Sequence, residues 1–307
     1  MTSSGGPPLG KYLASTEKKT RDKAIKNLSV FLSDSENAIS KSEMDKLWKG
    51  IFYCFWMSDK PLVQQALATE LADIVLSITS TPLSLSFLRG FWETTVREWS
   101  GIDYLRIDKY YMLIRRFVNA TFRLLIREKW DDSTCREYNQ ILTRQGGPLC
   151  PSDIRVPASL CYHIADIYVE ELDKALGTTA SPPAPLATII EPFIFLAART
   201  QTSVTYKRIQ SALFEPLFIS LAPESADGQP KTKRSRTNST QPSYPNLTAN
   251  ACYSSPSPSG PEDGAVLKKK LLRRIFEVAS EPDTRDSNRR KMYALWKESY
   301  EEDPSEE

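Results

Sequence analysis

The chain has 307 residues, a formal net charge of +2 from 40 basic and 38 acidic side chains, and a single histidine, His163. This length suits about two average domains or one elongated repeat array, and a balanced charge means that any attraction to nucleic acid must come from local patches. One histidine excludes zinc sites that need two histidine ligands. Five cysteines without a CxxC pair, no secretory signal and no run of about 20 apolar residues predict a soluble intracellular protein without a membrane span.

Helical patterns dominate the first two thirds of the chain. Residues 1–8 are expected to form a flexible leader, and residues 9–222 to form one helical repeat domain. Ser40 and Glu43 have the spacing of a capping box, and Pro61 suits the first turn of a helix. Apolar residues recur at helical spacing between short loops, which predicts an all-α fold. We expect a HEAT-like α-solenoid of antiparallel helix pairs, with an irregular helical array as the alternative.

The last third of the chain has a different composition. Residues 223–262 are rich in Ser, Pro, Thr, Asn and Gly, and are predicted to be a disordered segment. Residues 263–307 are predicted to contain two basic amphipathic helices, over 264–280 and 285–300, followed by an acidic tail. Leu267, Leu271 and Ile275 share one face of the first helix, and the sequence leaves open whether this face docks on the core, a partner or RNA.

Basic side chains recur along the longest predicted helix, residues 102–129. They follow one another at intervals of seven, seven and four positions, which places them on one narrow stripe of a helix. The favoured interpretation is a solvated or internally paired stripe, and contact with a protein partner or with RNA phosphates is the alternative. The members of this basic stripe are Lys109, Arg116, Arg123 and Arg127.

Aromatic residues are dense in the preceding segment, residues 47–60. Their spacing spreads them round a helix, which favours a place in the core over base stacking, with Trp48 or Tyr53 expected to reach the surface. Lys49 and Lys60 form the polar edge of this segment and are further candidates for contact with RNA or a partner.

A short basic cluster lies within the predicted disordered segment. Such clusters are bound by nuclear import receptors or contact nucleic acid nonspecifically, although chance matches are common. Its cationic members are Lys231, Lys233, Arg234 and Arg236.

The sequence carries no catalytic signature. It contains no Walker A, GxGxxG or GxSxG motif and no carboxylate cluster with metal-ligand spacing. We therefore assign no catalytic, cofactor-binding or metal-binding residue and expect no small-molecule substrate.

Three long, Trp-rich segments carry a resemblance to a known family. They are LGKYLASTEKKTRDKAIKNLSVFL (9–32), LWKGIFYCFWMSDKPLVQQALATELA (47–72) and FWETTVREWSGIDYLRIDKYYMLIRR (91–116). In order and content they resemble the ribosomal RNA processing protein 1 (Nop52-type) family over about residues 9–220. The chain looks like a fungal-length member, because the long basic tail of animal relatives is missing.

The resemblance implies a function that composition and spacing do not show. Members of the family are nucleolar, non-enzymatic assembly factors of early pre-60S particles, and processing of the internal transcribed spacer depends on them. The implied partners are other pre-60S assembly factors and the pre-rRNA. The helical pairs alone would equally suit a HEAT-like nuclear transport or protein-interaction adaptor, whereas a metal-dependent nuclease is disfavoured because no metal-ligand cluster is present.

Overall fold

The structure is a computed structural model that describes residues 9–34, 39–178, 180–222, 244–255 and 260–301. Most of these residues are helical and only four lie in strands, which confirms the predicted all-α class. They divide into two compact units, one holding the described residues up to Glu128 together with Asp132–Ile164, and the other holding Lys129–Asp131 and the described residues from Ala165 onward. The division falls inside residues 9–222, which the sequence analysis expected to be one domain.

The first unit is built from seven α-helices, a 3₁₀ turn (Trp99–Gly101) and the start of an eighth α-helix among the residues that the structure describes. They are α1 (Leu9–Leu13), α2 (Lys18–Ser33), α3 (Lys41–Trp56), α4 (Pro61–Ser77), α5 (Thr81–Glu98), α6 (Ile107–Arg127), α7 (Asp132–Thr143) and α8 (Ala158–Leu176), which continues into the second unit.

Local capping signals set several of these helix ends. The Ser40 hydroxyl accepts from the Glu43 amide at 3.3 Å and the Glu43 carboxylate accepts from the Ser40 amide at 3.0 Å, so the predicted capping box is present. Pro61 is the first residue of α4, as expected. Helix α6 is shorter than the predicted 102–129, because Asp103 accepts from the Arg106 amide and holds a turn before the helix.

Helices of the first unit pack in two alternating layers. Helix α2 packs on α4 and α4 on α6, whereas α1 packs on α3, α3 on α5 and α5 on α7. Each helix therefore contacts the helix two places along the chain, and consecutive helices belong to different layers. This is the arrangement of stacked helix pairs that an α-solenoid uses, and the predicted helical array is confirmed.

An aromatic cluster fills the interface between these layers. The Trp48 ring lies 4.5 Å from Phe87 and 5.5 Å from Phe91, and Phe91 stacks on Phe117 at 3.9 Å. Gly90 permits this approach, because a Cβ atom there would lie 2.2 Å from Trp48 Cδ1. The segment is therefore core, as predicted, but the surface expectation holds for Tyr53 alone, since Trp48 is buried.

The second unit brings the C-terminal helices back onto the middle of the chain. Helix α13 packs on α9, on α11 and on α14, and α14 also packs on α9. Residues Leu267, Leu271 and Ile275 are buried, so the predicted apolar face of α13 docks within its own unit. The elements of this unit after α8 are β1 (Ala184–Pro185), α9 (Leu186–Arg199), α10 (Ser203–Ile209), a π-helical turn (Gln210–Phe214), α11 (Glu215–Leu221), α12 (Pro245–Ala249), β2 (Ala251–Cys252), α13 (Gly264–Ser280) and α14 (Asp286–Glu301).

Part of the segment predicted as disordered is ordered in the structure. Strand β2 pairs in parallel with β1, and Asp173 of α8 accepts from the Leu247 amide at 2.9 Å and from Asn246 Nδ2 at 3.2 Å. Composition alone misled here, because the segment is held by distant acceptors and by the buried side chain of Leu247. The expectation for 223–262 is thus corrected for 244–255 and 260–262, and residues 223–243 and 256–259 lie outside the described part of the chain.

None of the helices in the described residues is both long enough and apolar enough to cross a membrane.

Asp173→Ala should release the segment 244–255 from α8. The buried amide of Leu247 would lose its acceptor, and an unpaired buried donor costs about 1–3 kcal/mol. Limited proteolysis or hydrogen exchange at Leu247 measures the release, and faster cleavage or exchange is expected. Asp166→Ala is the control, because Asp166 lies on the same helix but pairs with Arg208 at the surface. Identical exchange in both variants would contradict the anchoring role.

Candidate interaction surfaces

Lys109 does not lie on the surface, in contrast to the predicted basic stripe. It is 5% exposed, and its ammonium group donates to the carbonyl oxygens of Trp56 at 2.7 Å and Ser58 at 3.0 Å, with Asp59 at 3.5 Å. These carbonyls close α3, where no further helical turn supplies amide donors. Burial lowers the pKa of Lys109 and the Asp59 carboxylate opposes this effect. Lys109 is therefore a structural cap of α3, and its assignment as a contact residue is corrected.

The C-terminal members of the basic stripe are also engaged within the first unit. Arg127 donates through Nη1 to the carbonyl oxygens of Leu76 and Ile78, both at 3.0 Å, and so caps the end of α4. Arg123 pairs with Asp73 of α4 at 3.3 Å. Both arginines remain partly exposed, but their guanidinium groups already have partners. The spacing placed these residues on one side of α6, as predicted. The partners of Lys109, Arg123 and Arg127 are the ends and flank of neighbouring helices.

Three of the predicted contact residues are exposed and have side chains without a partner among the described residues. They are Arg116 on α6, Lys49 on α3 and Lys60, which immediately precedes α4, and none of their side chains forms a hydrogen bond or ion pair with the residues that the structure describes. They come from three different helices of the first unit. The import cluster of Lys231, Lys233, Arg234 and Arg236 lies outside the described residues.

An exposed apolar surface was missed by the sequence analysis. Tyr104 and Leu105 are 83% and 75% exposed in the turn before α6, where the sequence predicted a helix. Arg106 joins this turn to the end of α3, because its guanidinium stacks 5.1 Å from the Trp56 ring and pairs with Asp59 at 3.5 Å. The turn is therefore fixed in place while its two apolar side chains stay in solvent.

A polar cleft was also missed. It has a volume of about 610 Å³ and lies in the first unit beside α5 and the loop that follows α7. We call it the arginine cleft, and its lining residues are Glu93, Val96, Arg97, Ser100, Gln145, Gly146 and Arg155. The sequence showed a loop around Gly146, but it did not show that this loop returns to α5.

A buried carboxylate organises the loop of the arginine cleft. Asp153 accepts from Arg155 Nε at 2.9 Å and Nη2 at 2.6 Å, and from the amides of Arg155 and Gly146, both at 3.0 Å. Arg155 and these amides hold the pKa of Asp153 well below its usual range. Gly146 adopts φ +85°, a left-handed conformation that glycine allows without strain. The loop therefore presents Arg155, whose side chain is 63% exposed, in a fixed orientation.

The cysteines and the histidine are held inside the fold or against the backbone. Among the described residues, no group of three or more His, Cys, Asp or Glu residues is placed to hold a metal ion. All five cysteines are buried, and burial raises the pKa of Cys54 and of Cys252 to about 11. His163 Nε2 lies 3.1 Å from the Tyr111 carbonyl oxygen.

Lys109→Met should destabilise the first unit without changing its surface. The substitution keeps an unbranched side chain but leaves the carbonyls of Trp56 and Ser58 without their donor, so we expect the free energy of unfolding in urea to fall by about 1–3 kcal/mol. Arg116→Met is the matched control on the same helix, and it should change stability by no more than about 0.5 kcal/mol because Arg116 is exposed. Equal effects of the two substitutions would contradict the capping role of Lys109.

Comparison with known proteins identifies the family. The protein-family model described as "Nucleolar protein, Nop52" matches residues 4–296 of this chain. The human ribosomal RNA processing protein 1 homolog B is 36% identical over 227 residues, which cover 72% of this chain and 29% of that protein. The human homolog A is 30% identical over 320 residues, covering 94% of this chain and 68% of that protein.

A more distant relative extends the match to another lineage. The ribosomal RNA processing protein 1 homolog of Dictyostelium discoideum is 23% identical over 303 residues, covering 94% of this chain and 57% of that protein. This chain therefore spans less than a third of human homolog B and about two thirds of human homolog A. Because the family match covers nearly the whole chain, the protein belongs to the Nop52 family of nucleolar proteins.

Proposed function

We propose that this protein is a nucleolar ribosome-assembly factor that takes part in ribosomal RNA processing without catalysing a reaction. The observation that carries the proposal is the family match over residues 4–296, with relatives that are named ribosomal RNA processing proteins. More specifically, we propose a role in assembly of the large (60S) ribosomal subunit. The protein would act as a helical scaffold of the pre-60S particle and would be needed for processing of the internal transcribed spacer.

The architecture of the first unit supports a scaffold role. Its helices are tied together at their ends, where Lys109 caps α3 and Arg127 caps α4. Such caps fix the relative position of neighbouring helices, so that side chains on different helices keep a constant spacing. A surface of this kind holds binding partners in place without needing reactive groups.

We propose two kinds of contact for this scaffold. Exposed Lys49, Lys60 and Arg116 would contact pre-rRNA or acidic surfaces of other pre-60S assembly factors. Tyr104 and Leu105 would contact an apolar surface of such a factor, because large apolar side chains held in solvent on a fixed turn are typical of binding sites. The cluster 231–236 would direct the chain to the nucleus.

Depletion of the protein should block maturation of the large subunit. We expect unprocessed spacer-containing pre-rRNA to accumulate and the ratio of 60S to 40S subunits to fall, as measured by RNA blotting and sucrose-gradient profiles. Re-expression of the full chain is the control. Normal pre-rRNA and normal subunit ratios after depletion would refute the proposed function. In affinity purification of the protein, recovery of transport cargoes without pre-ribosomal proteins would instead favour the alternative function of a transport adaptor.

Reversing the charge of the exposed cations should weaken association with pre-ribosomal particles. The variant combines Lys49→Glu, Lys60→Glu and Arg116→Glu, and we expect its co-sedimentation with pre-60S particles to drop at least several-fold at physiological salt. A control of equal charge combines Lys19→Glu, Lys23→Glu and Lys207→Glu, which are also exposed. Equal losses in both variants would mean that overall charge, and not this set of residues, determines association.

A further inference from the structure

The arginine cleft contains two guanidinium groups with unused donors. Arg155 binds Asp153 through Nε and Nη2, and Arg97 binds Glu98 through Nε at 2.8 Å and Thr94 through Nη2 at 3.4 Å. In both arginines Nη1 has no hydrogen-bond partner among the described residues. Each Nη1 carries two N–H groups, so the cleft offers up to four charge-assisted donors from side chains that are already restrained.

The only carboxylate lining the described cleft is already neutralised. Glu93 accepts from Arg144 at 2.6 Å through one oxygen and from Lys41 at 2.9 Å through the other. Neither Arg144 nor Lys41 is among the residues that line the cleft. Arg97 and Arg155 are themselves paired with Glu98 and Asp153. What the cleft offers an anion is therefore the unused Nη1 donors of two restrained guanidinium groups, beside a carboxylate that is already paired with two cations.

The size and lining of the cleft favour a phosphate-bearing ligand. A volume of about 610 Å³ falls within the ~300–1,000 Å³ that is common for small-ligand sites and far exceeds the space that one carboxylate needs. No aromatic side chain is among the lining residues, so base stacking is not the means of binding. Guanidinium groups bind phosphate oxygens through paired N–H donors, and such contacts are independent of base sequence.

We propose that the arginine cleft binds the sugar–phosphate backbone of single-stranded RNA, with Arg97 and Arg155 as the phosphate contacts and Asp153 as a positioning residue for Arg155. This inference rests on the proposed function, because a protein of ribosomal RNA processing meets RNA as its most abundant polyanion. An acidic protein segment is the competing occupant. It would present separate side-chain carboxylates to the arginines, whereas an RNA strand presents a phosphate at every nucleotide.

Direct binding measurements test the phosphate contacts. The full chain is titrated against a 20-nucleotide single-stranded RNA of mixed sequence at several salt concentrations. We expect the combination Arg97→Ala and Arg155→Ala to weaken binding about tenfold, and to reduce the slope of log K against log salt by about 1.4, since each phosphate contact on a single strand contributes about 0.7.

Two other arginines provide the matched control. Arg136 and Arg273 are exposed and pair with Asp132 and Glu277 on their own helices. The combination Arg136→Ala and Arg273→Ala removes the same charge, and we expect it to leave the salt slope within error of the unaltered chain. Equal slopes and affinities for the cleft variant and this control would overturn the proposal.

Substitution of Asp153 distinguishes RNA binding by a positioned arginine from RNA binding by general electrostatic attraction. Asp153→Asn removes one negative charge and so raises the net charge by one, and attraction by net charge alone therefore predicts tighter RNA binding. If Asp153 orients Arg155, the same substitution should weaken binding several-fold. Arg155→Lys is the second test, because lysine keeps the charge but lacks the planar fork, and we expect it to bind RNA more weakly than the unaltered chain. Tighter binding by folded Asp153→Asn, or full affinity of Arg155→Lys, would refute the positioning role.

Competition experiments identify the class of ligand. A 20-residue poly-glutamate peptide should displace the RNA far less effectively than unlabelled RNA. Inorganic phosphate at 10 mM should displace it only partly, because a free phosphate lacks the linked neighbouring phosphates that let a strand bind at several points at once. Displacement by the peptide at equal concentration would overturn the assignment to RNA. This outcome is separate from failure of the proposed function, which depletion tests: defective pre-rRNA processing together with unaltered RNA binding by the cleft variant would refute this inference alone.

Discussion

The first unit depends on cations of α6 that close the ends of two earlier helices. An α-helix ends with carbonyl groups that lack amide donors, and a buried end needs donors from elsewhere. Lys109 supplies them to α3, and Arg127 supplies them to α4 five turns further along α6. Because α3 and α4 belong to different layers, one helix fixes the register of both layers. Losing the ammonium group of Lys109 would leave these buried carbonyl groups without a donor.

The same residues show why a charge pattern has two meanings. Intervals of seven, seven and four place four cations on one side of α6, and this geometry is correct. Sequence spacing shows which side chains share a face, but it does not show what that face meets. Lys109 meets carbonyl groups and is buried, Arg123 meets a carboxylate, and Arg116 has solvent around it. The contact surface proposed for RNA or partners therefore excludes the residue that began the stripe.

Local signals predicted the helices well, and long-range contacts escaped prediction. The capping box at Ser40, the proline that begins α4 and the apolar face of α13 all follow from residues within one or two turns. The order found at 244–255 depends on Asp173, some 70 residues earlier, and the arginine cleft depends on a loop returning to α5. The spacing of Asp153 and Arg155 is visible in the sequence, but only the burial of Asp153 makes their ion pair an orienting device.

Which member of an interacting pair is buried thus determines whether the cation can still bind a ligand. At Lys109 the cation is buried and its acceptors are backbone carbonyls, so the interaction stabilises the fold and leaves nothing for a ligand. At Arg155 the carboxylate is buried and the cation is exposed, so the same kind of interaction holds a guanidinium group in place while leaving some of its donors free. The buried carboxylate already accepts four hydrogen bonds, whereas the exposed arginine keeps Nη1 donors that can bind an anion. The asymmetry of burial within the pair therefore distinguishes a cation that stays accessible to a ligand from one that is enclosed in the fold, although both are basic residues in the sequence.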